Sequence, residues 1–178
     1  MRIADCGLRN EKARIVSFVA ASSNSGKSTL IEKIIPLLKA RGLRVAVVKH
    51  AHAGFEPDRP GKDSWRFREA GADAVMLIGP DDQAITTTLQ AKPFAELELL
   101  ARGVDLVIQE GFKKTAKNKI EVFRTGISGE QPLCMTDPSF RALVSDAPFE
   151  TTIPRFDITD ICGITEYLIA NFIDPSRA

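Results

Sequence analysis

Residues 21–28 read Ala-Ser-Ser-Asn-Ser-Gly-Lys-Ser, and this stretch decides how the rest of the chain is interpreted. An apolar segment precedes it, and a segment with a broad apolar helical face follows it. Gly26, Lys27 and Ser28 match the end of the phosphate-loop pattern GxxxxGK[ST], which joins a strand to a helix. Ala21 stands where that pattern has its first glycine, and its methyl group fits if its φ is negative. The stretch therefore predicts a phosphate-binding loop.

The chemistry of phosphate binding explains the residue types in this loop. Successive backbone N–H groups surround a phosphate, and the N-terminus of the following helix adds a favourable dipole. Lys27 brings a cation to the terminal phosphates, and Ser28 offers a hydroxyl to Mg²⁺. The alternative is a serine-rich helix cap followed by a surface lysine. The predicted nucleotide contacts in this loop are Ser23, Asn24, Ser25, Gly26, Lys27, Ser28 and Thr29.

Strand-like and helix-like segments alternate along the chain. Such alternation predicts a largely parallel sheet with helices on both faces. We therefore expect an α/β protein with the three-layer phosphate-loop NTPase fold. Strands are also expected at 74–78 and 84–89, where an antiparallel hairpin is the alternative to parallel pairing. The other predicted strands cover residues 14–21, 43–49, 105–110, 119–124, 141–145 and 155–158, and the predicted helices cover 26–41, 63–70, 94–101 and 160–173.

Composition and charge exclude some classes of function. The 178 residues suit one domain, which we place at 14–178 after a polar extension at 1–13. The 24 basic and 23 acidic side chains nearly cancel, which disfavours binding of nucleic acid by a strongly basic surface. No apolar run reaches membrane-spanning length, and the first residues lack the apolar core of a signal peptide. We expect an intracellular protein with no membrane partner.

A phosphate-loop protein needs an acidic residue near its magnesium ion as a second element. The apolar strand at 105–110 has Asp105 at its start and Glu110 at its end. Parallel strands place their carboxyl ends at the ligand edge, and at about 3.3 Å per residue Asp105 would lie roughly 16 Å from that edge. Glu110 is therefore the predicted magnesium residue, with an exposed loop carboxylate as the alternative. Asp105 is expected to cap the far end.

The polar loop after the strand at 43–49 also emerges at the ligand edge. From this loop Asp58 or Asp63 could reach Mg²⁺ or a bridging water, so the loop is a candidate switch over the nucleotide. Capping of a helix N-terminus is the alternative role of Asp63. His50 and His52 share a face but lack a third ligand, which is weak support for a metal site. The predicted metal ligands are therefore Ser28, Glu110 and Asp63, and the predicted catalytic residues are Lys27, Glu110 and Asp63.

Several stretches in one order resemble a known family. They are residues 25–30 (SGKSTL), 47–52 (VVKHAH), 58–64 (DRPGKDS), 70–72 (AGA), 105–113 (DLVIQEGFK) and 119–124 (KIEVFR). The phosphate loop alone is shared by many families, whereas the 58–64 and 105–113 stretches in this order are much more specific. Over about residues 14–174 the chain resembles MobB, the family of molybdopterin-guanine dinucleotide biosynthesis protein B.

The resemblance implies a GTP-binding protein of the phosphate-loop class that uses Mg²⁺ and hydrolyses GTP weakly. It implies a cytoplasmic, dimeric protein that assists the guanylyltransferase joining GMP to molybdopterin, with molybdopterin as a second candidate ligand. Carried over by position, Lys27, Ser28 and Glu110 match the nucleotide-site motifs, and the stretch 58–63 matches the loop of the family. The other predicted cofactor-binding residues are His50, Asp58, Gly61, Lys62, Gly111, Lys113 and Asp146.

Two features compete as the element that reads guanine. Asn118, Lys119 and Glu121 resemble the NKxD motif of many GTPases, but that motif follows a buried strand, whereas these residues open one after a polar loop. Asp146 comes directly after the apolar strand at 141–145. A carboxylate there could accept the N1–H and N2–H donors of guanine. Asp146 is therefore the predicted guanine-reading residue.

Two other functions stay open from the residues alone. An ATP-dependent small-molecule kinase or ligase would use the same phosphate loop. A binding module would use the nucleotide only to set the shape that it presents to a partner. In that case Lys113, Lys114 and Lys117 would hold an anionic pterin phosphate or an acidic protein surface. An ordinary solvated basic loop is the alternative for these three lysines.

Overall fold

A computed structural model describes residues 15–49, 74–78, 84–88 and 104–173. The strands are β1 (Ile15–Val19), β2 (Val45–Lys49), β3 (Ala74–Ile78), β4 (Ala84–Thr88), β5 (Leu106–Glu110), β6 (Lys119–Phe123), β7 (Phe140–Ser145) and β8 (Arg155–Asp157), the helices are α1 (Lys27–Ala40) and α2 (Ile161–Phe172), and a 3₁₀ turn covers Leu133–Met135. Each of these strands and both helices agree with a predicted segment to within a few residues. The 3₁₀ turn was not predicted.

Six strands form a parallel sheet in the order β2-β5-β1-β6-β7-β8. The register sets Phe18 of β1 opposite Glu110 of β5, and Glu110 opposite Lys49 of β2. The carboxyl ends of these three strands therefore meet at one edge of the sheet. Since β1 is a central strand, the loop that follows it opens at the middle of that edge.

The hydrophobic core lies between one face of this sheet and the two described helices. Val16 and Phe18 of β1 point into it and meet Ile34 and Leu38 of α1 and Leu168 of α2. All five side chains are completely buried. Full burial of such a side chain contributes about 1.5–3 kcal/mol, so this layer fixes α1 against the sheet and holds its N-terminus at the ligand edge.

Polar side chains are buried on the opposite face of the sheet. Ser17 Oγ donates a hydrogen bond of 2.6 Å to Gln109 Oε1 across the β1–β5 pair. Lys119 Nζ donates to Asp137 Oδ2 at 3.0 Å, and the Lys119 ammonium also lies 5.3 Å from the centre of the Phe140 ring. Partners of this kind offset most of the cost of taking polar groups out of water.

Helix α1 ends as the sequence predicts. Gly42 has φ 75°, and its N–H donates to the carbonyl of Lys39, while the N–H of Leu43 donates to the carbonyl of Leu38. These paired bonds stop the helix and turn the chain into β2. Pro36 lies inside the helix and brings no N–H to its hydrogen bonds. Arg41 at the end of α1 forms an ion pair with Glu166 of α2.

The described chain falls into two compact units. The first contains the parallel sheet, α1 and α2, and the second, within Ala51–Leu99, contains β3 and β4. These two strands pair antiparallel, which is the hairpin alternative predicted for this region. The predicted helices at 63–70 and 94–101 and the extension at 1–13 lie outside the described residues, and the single domain at 14–178 stays a prediction. No helix in the described ranges has the length and apolar character needed to cross a membrane.

Candidate functional site

The loop between β1 and α1 lies at the middle of the ligand edge. Gly26 adopts the left-handed conformation at φ 88°, and Asn24 does so at φ 61°. Glycine has no steric cost in this region, and asparagine tolerates it better than most residues. Among the described non-glycine residues positive φ occurs at Asn24 and Phe112, so Ala21 has the negative φ that the sequence analysis required.

The N-terminus of α1 is suited to hold an anion. Gly26 is its N-cap, and in the described chain no side chain caps the first turn and that turn contains no acidic residue. The first N–H groups of a helix have no carbonyl partner within the helix. Together with the helix dipole these free donors attract a phosphate. Ser23, Ser28 and Thr29 lie at or near this end and are partly or fully exposed.

The Lys27 side chain lies over the loop itself. Its Nζ donates to the carbonyl of Ser22 at 3.2 Å and to Ser25 Oγ at 3.1 Å. Burial lowers the pKa of Lys27 from its ordinary value, the Glu110 carboxylate opposes this shift, and the Lys49 ammonium adds to it. A half-buried ammonium beside the N-terminus of a helix is suited to interact with an anionic group such as a phosphate.

Glu110 connects the phosphate loop with β2. Its Oε1 accepts a 2.8 Å hydrogen bond from Ser28 Oγ, and its Oε2 lies 3.5 Å from Lys49 Nζ. The structure thus brings together Ser28 and Glu110, the two predicted magnesium ligands in the described chain. A hydroxyl and a carboxylate oxygen at the N-terminus of a phosphate-binding helix fit Mg²⁺, which prefers oxygen ligands alongside substrate phosphates.

Asp105 lies at the opposite end of β5, as expected from the strand length. Its Oδ2 accepts a 2.8 Å hydrogen bond from the backbone N–H of Arg44, and the Arg44 guanidinium lies 3.4 Å away. The carboxylate therefore fixes the start of β2 beside β5. This contact assigns Asp105 a structural position and leaves Glu110 as the acid of β5 at the ligand edge.

Each residue of the NKxD-like stretch has a structural partner. Asn118 Nδ2 donates to the carbonyl of Ile15 at 3.3 Å. Lys119 is buried and paired with Asp137, and the buried Glu121 carboxylate accepts two backbone N–H donors of the 3₁₀ turn at 2.8 Å each. These side chains hold β6 in the sheet, a structural role that agrees with the prediction that they do not read guanine.

Asp146 attaches the turn after β6 to the end of β7. Its Oδ1 accepts hydrogen bonds from the backbone N–H and the hydroxyl of Thr125, both at 2.9 Å, while its Oδ2 lies 3.9 Å from Arg124 Nε. Ser22 Oγ donates at 2.7 Å to the carbonyl of Ile127. The turn is thereby joined to Asp146 on one side and to the phosphate loop on the other.

Two further cations, Lys49 and Arg124, lie at the ligand edge. Lys49 lies beside Glu110, and an Arg124 nitrogen lies 3.9 Å from the position that a Cβ on Gly26 would take. Lys49 is the last residue of β2, next to the strand β5 that ends with Glu110. Arg124 directly follows β6, next to the strand β1 that leads into the phosphate loop. A cation at or directly after the carboxyl end of a strand is the sequence signal that points to both positions.

The remaining predicted site residues are only partly covered by the structure. Gly111 follows Glu110 with φ 97°, and its N–H donates to the carbonyl of Phe18 at 3.0 Å. Lys113 is exposed on the loop that follows. The predicted residues from the loop after β2 lie outside the described residues and are His50, Asp58, Gly61, Lys62 and Asp63.

These observations define the class of protein. A phosphate loop follows the central strand of a parallel sheet, its lysine and serine begin the next helix, and an acid ends the neighbouring strand. This is the α/β fold of phosphate-loop NTPases, as the sequence predicted.

Comparisons with known proteins identify the family within that class. A family model described as molybdopterin guanine dinucleotide synthesis protein B, MobB, matches residues 15–146. The molybdopterin-guanine dinucleotide biosynthesis adapter protein of Escherichia coli strain K12 is 34% identical over 155 residues, covering 84% of this chain and 89% of that protein. Its namesake in Haemophilus influenzae is 38% identical over 155 residues and is covered over 85% of its length. The chain belongs to the MobB family.

Solved structures agree with this assignment. A crystal structure of molybdopterin-guanine biosynthesis protein B superposes with a TM-score of 0.65 at 29% identity, covering 89% of this chain and 98% of that one. The crystal structure of Bacillus subtilis MobB superposes with a TM-score of 0.67 at 24% identity, covering 90% of this chain and 98% of that one. The second likeness bears on the fold alone.

Proposed function

We propose that this chain is a GTP-binding adapter in the biosynthesis of molybdopterin guanine dinucleotide. Membership of the MobB family and the names of its relatives support the pathway. The observation that carries the nucleotide is the assembly at the N-terminus of α1, where Ser28 Oγ lies 2.8 Å from Glu110 Oε1 beside Lys27. A cation, a hydroxyl and a carboxylate at a helix N-terminus bind a nucleotide together with its metal ion.

In this proposal each group has a separate task. The N–H groups of the loop and Lys27 hold the phosphates, while Ser28 and Glu110 hold Mg²⁺. Magnesium, when bound, neutralises negative charge on the terminal phosphates. Hydrolysis by the protein alone is expected to be slow. An arginine supplied by a partner increases the rate of such reactions by a factor of about 10³–10⁵. The bound nucleotide then serves mainly to set the shape that the adapter presents.

The partner in this proposal is the guanylyltransferase that attaches GMP to molybdopterin. Lys113, Lys114 and Lys117 are exposed on the loop after β5. Three cations on one loop favour an acidic protein surface or a pterin phosphate. We also propose, from the resemblance to the family, that the protein is a homodimer and is located in the cytoplasm.

Nucleotide titration tests the proposal. Fluorescent GTP and ATP analogues are added to purified protein with and without Mg²⁺, and the Kd values are compared. We expect tighter binding of GTP than of ATP, and loss of triphosphate binding in Lys27→Ala, because that change removes the ammonium over the loop. Lys39→Ala, which removes an exposed lysine from the last turn of α1, is the matched control.

Two results would contradict this function. A preference for ATP would favour the kinase or ligase interpretation. Undiminished triphosphate binding by Lys27→Ala would mean that the nucleotide occupies another part of the protein.

A further inference from the structure

Lys49 occupies a specific place at the ligand edge. It is the last residue of β2, and the parallel register sets it directly opposite Glu110 of β5. Its Nζ lies 3.5 Å from Glu110 Oε2, and its side chain is 62% exposed whereas that of Glu110 is 14% exposed. The ammonium therefore reaches the carboxylate from the solvent side and has room to move away from it.

Both oxygens of Glu110 are engaged in this arrangement. Ser28 Oγ donates to Oε1, and Lys49 contacts Oε2. Lys27 also interacts electrostatically with both groups. The Glu110 carboxylate raises the pKa of Lys27, and the Lys49 ammonium lowers it. One carboxylate thus faces two ammonium groups at the place where the negative charges of a phosphate would arrive.

We propose that Lys49 is a built-in cation at Glu110, which a divalent metal ion must displace and which replaces that ion when a polyphosphate binds without metal. This inference rests on the proposed nucleotide site. The metal ion and the ammonium compete for the same carboxylate oxygen, and the metal ion carries the larger charge. When no metal is present, Lys49 stays beside Glu110 and its charge is added to that of Lys27.

Competition of this kind couples the metal and the polyphosphate in a measurable way. Lys49 raises the affinity of the metal-free polyphosphate because it adds a positive charge to the site. It lowers the affinity of Mg²⁺ because its contact with Glu110 has to be broken first. The factor by which Mg²⁺ tightens polyphosphate binding is therefore smaller than it would be without Lys49.

Lys49→Met tests this coupling, since it removes the charge and keeps most of the apolar stem. The Kd values of a fluorescent GTP analogue and of inorganic tripolyphosphate are measured in EDTA and in Mg²⁺. We expect the ratio of the Kd in EDTA to the Kd in Mg²⁺ to rise about fivefold over wild type, the order expected for one half-exposed ion pair. The larger part of this change is weaker binding in EDTA.

Two control variants separate charge from structure. Lys49→Arg keeps the charge and should keep the wild-type ratio. Lys39→Met removes an equal charge in the last turn of α1, roughly 18 Å along the helix from Lys27, and should also keep it. An unchanged or smaller ratio in Lys49→Met would overturn the inference, as would an equal rise in Lys39→Met.

The two probes distinguish this inference from the proposed function. If wild type binds tripolyphosphate but does not bind GTP, the proposed function fails. The ratio of the Kd in EDTA to the Kd in Mg²⁺ is then still measured with tripolyphosphate for wild type and Lys49→Met. If wild type binds GTP and Lys49→Met behaves as wild type, only the Lys49 inference fails. If wild type binds neither probe, both fail.

Discussion

In the proposed function Asp146 would combine two tasks on one carboxylate. Its Oδ1 is engaged by the N–H and the hydroxyl of Thr125, whereas its Oδ2 has the distant Arg124 contact of 3.9 Å and lone pairs to spare. In the proposed function Oδ2 accepts the N1–H and N2–H donors of guanine. Asp146 would then hold the turn after β6 and read the base from the same position.

Asp146→Asn is the variant that tests the reading of guanine. An amide keeps one acceptor oxygen for Thr125 but cannot accept both guanine donors on its nitrogen. We expect the GTP preference over ATP to fall by at least about tenfold, the change that roughly 1.4 kcal/mol of lost hydrogen bonding produces. Competition titrations with unlabelled GTP and ATP measure it.

A control variant distinguishes the loss of a guanine contact from the loss of the structural contact between Asp146 and Thr125. Thr125→Val removes the hydroxyl that donates to Asp146 and leaves the carboxylate in place. Its GTP preference should stay near that of wild type. An unchanged preference in Asp146→Asn would exclude Asp146 as the residue that reads guanine.

Asp137 gives a prediction about pH. Hydrogen bonds from the hydroxyl and the backbone N–H of Ser139, then one from Lys119, lower the pKa of Asp137 from 3.8 to about 2. A depressed carboxyl pKa stabilises the folded state above the unfolded value and loses this effect as the pH falls through the folded value. Asp137→Asn should therefore lower the Tm at pH 7, with a deficit that shrinks between about pH 4 and pH 2.

Thermal unfolding followed by circular dichroism at a series of pH values measures this deficit. Asp157→Asn is a useful comparison, because hydrogen bonds from Thr159 also lower the pKa of Asp157, without a lysine partner. Asp137→Asn should show the larger deficit at pH 7, since it also leaves the buried Lys119 ammonium unpaired. A deficit in Asp137→Asn that stays constant from pH 7 to pH 2 would disagree with the ionic origin of the effect.

At the scale of residues the sequence predicted the phosphate-loop motif but not which cations lie beside it. Gly26, Lys27 and Ser28 form a contiguous pattern whose spacing is fixed by one loop. Lys49 and Arg124 lie at the same edge, but their distance from the loop depends on which strands are neighbours. The chain separates these two from the loop, so local spacing contains no information about their distance from it.

The N-terminal cap of helix α2, Asp160, depends on the absence of a side chain at Gly163. Asp160 Oδ1 accepts a 2.9 Å hydrogen bond from the backbone N–H of Gly163. A Cβ on Gly163 would lie 2.2 Å from Asp160 Oδ2, closer than atoms can approach. The capping carboxylate therefore occupies the space that a side chain at position 163 would need.

The effect of a Gly163→Ala change should depend on residue 160. In wild type the new methyl group displaces the cap, which costs about 1 kcal/mol and offsets the gain in helix propensity, so we expect no net stabilisation. In Asp160→Ala the cap is already absent, so the same change should stabilise by about 0.5–1 kcal/mol through helix propensity. Urea unfolding of the four proteins in this double-mutant cycle measures both values. Equal effects of Gly163→Ala in the two backgrounds would show that the cap and the glycine are independent.

At the scale of elements the regular segments were predictable and the irregular ones were not. Apolar runs predicted β1, β5 and β7, and the broad apolar helical face after the phosphate loop predicted α1. The 3₁₀ turn at Leu133–Met135 has three residues, too few for a periodic pattern. The turn is held by hydrogen bonds to Glu121, which lies on β6. This partner is distant in sequence, so the residues around the turn do not indicate it.

At the scale of the whole molecule the sequence predicted the class of sheet but not the order of its strands. Alternation of strands and helices favours parallel pairing, and the six-stranded sheet has it, whereas β3 and β4 pair antiparallel. The order β2-β5-β1-β6-β7-β8 depends on tertiary packing between distant segments. That order places Glu110 and Lys49 on one side of the phosphate loop and Arg124 and Asp146 on the other, so the site as a whole required the fold.

The central position of β1 also has a consequence for synthesis of the chain. β1 precedes both of its neighbouring strands along the chain, and Ser17 reaches its partner Gln109 across 92 residues of sequence. Its other neighbour, β6, begins only at Lys119. Contacts between such distant segments form slowly, and until both neighbours have emerged β1 is an apolar strand with unpaired edges. The phosphate loop therefore has no assembled sheet edge during synthesis until β6 has emerged, and the nascent β1 has to be kept from aggregation by other means.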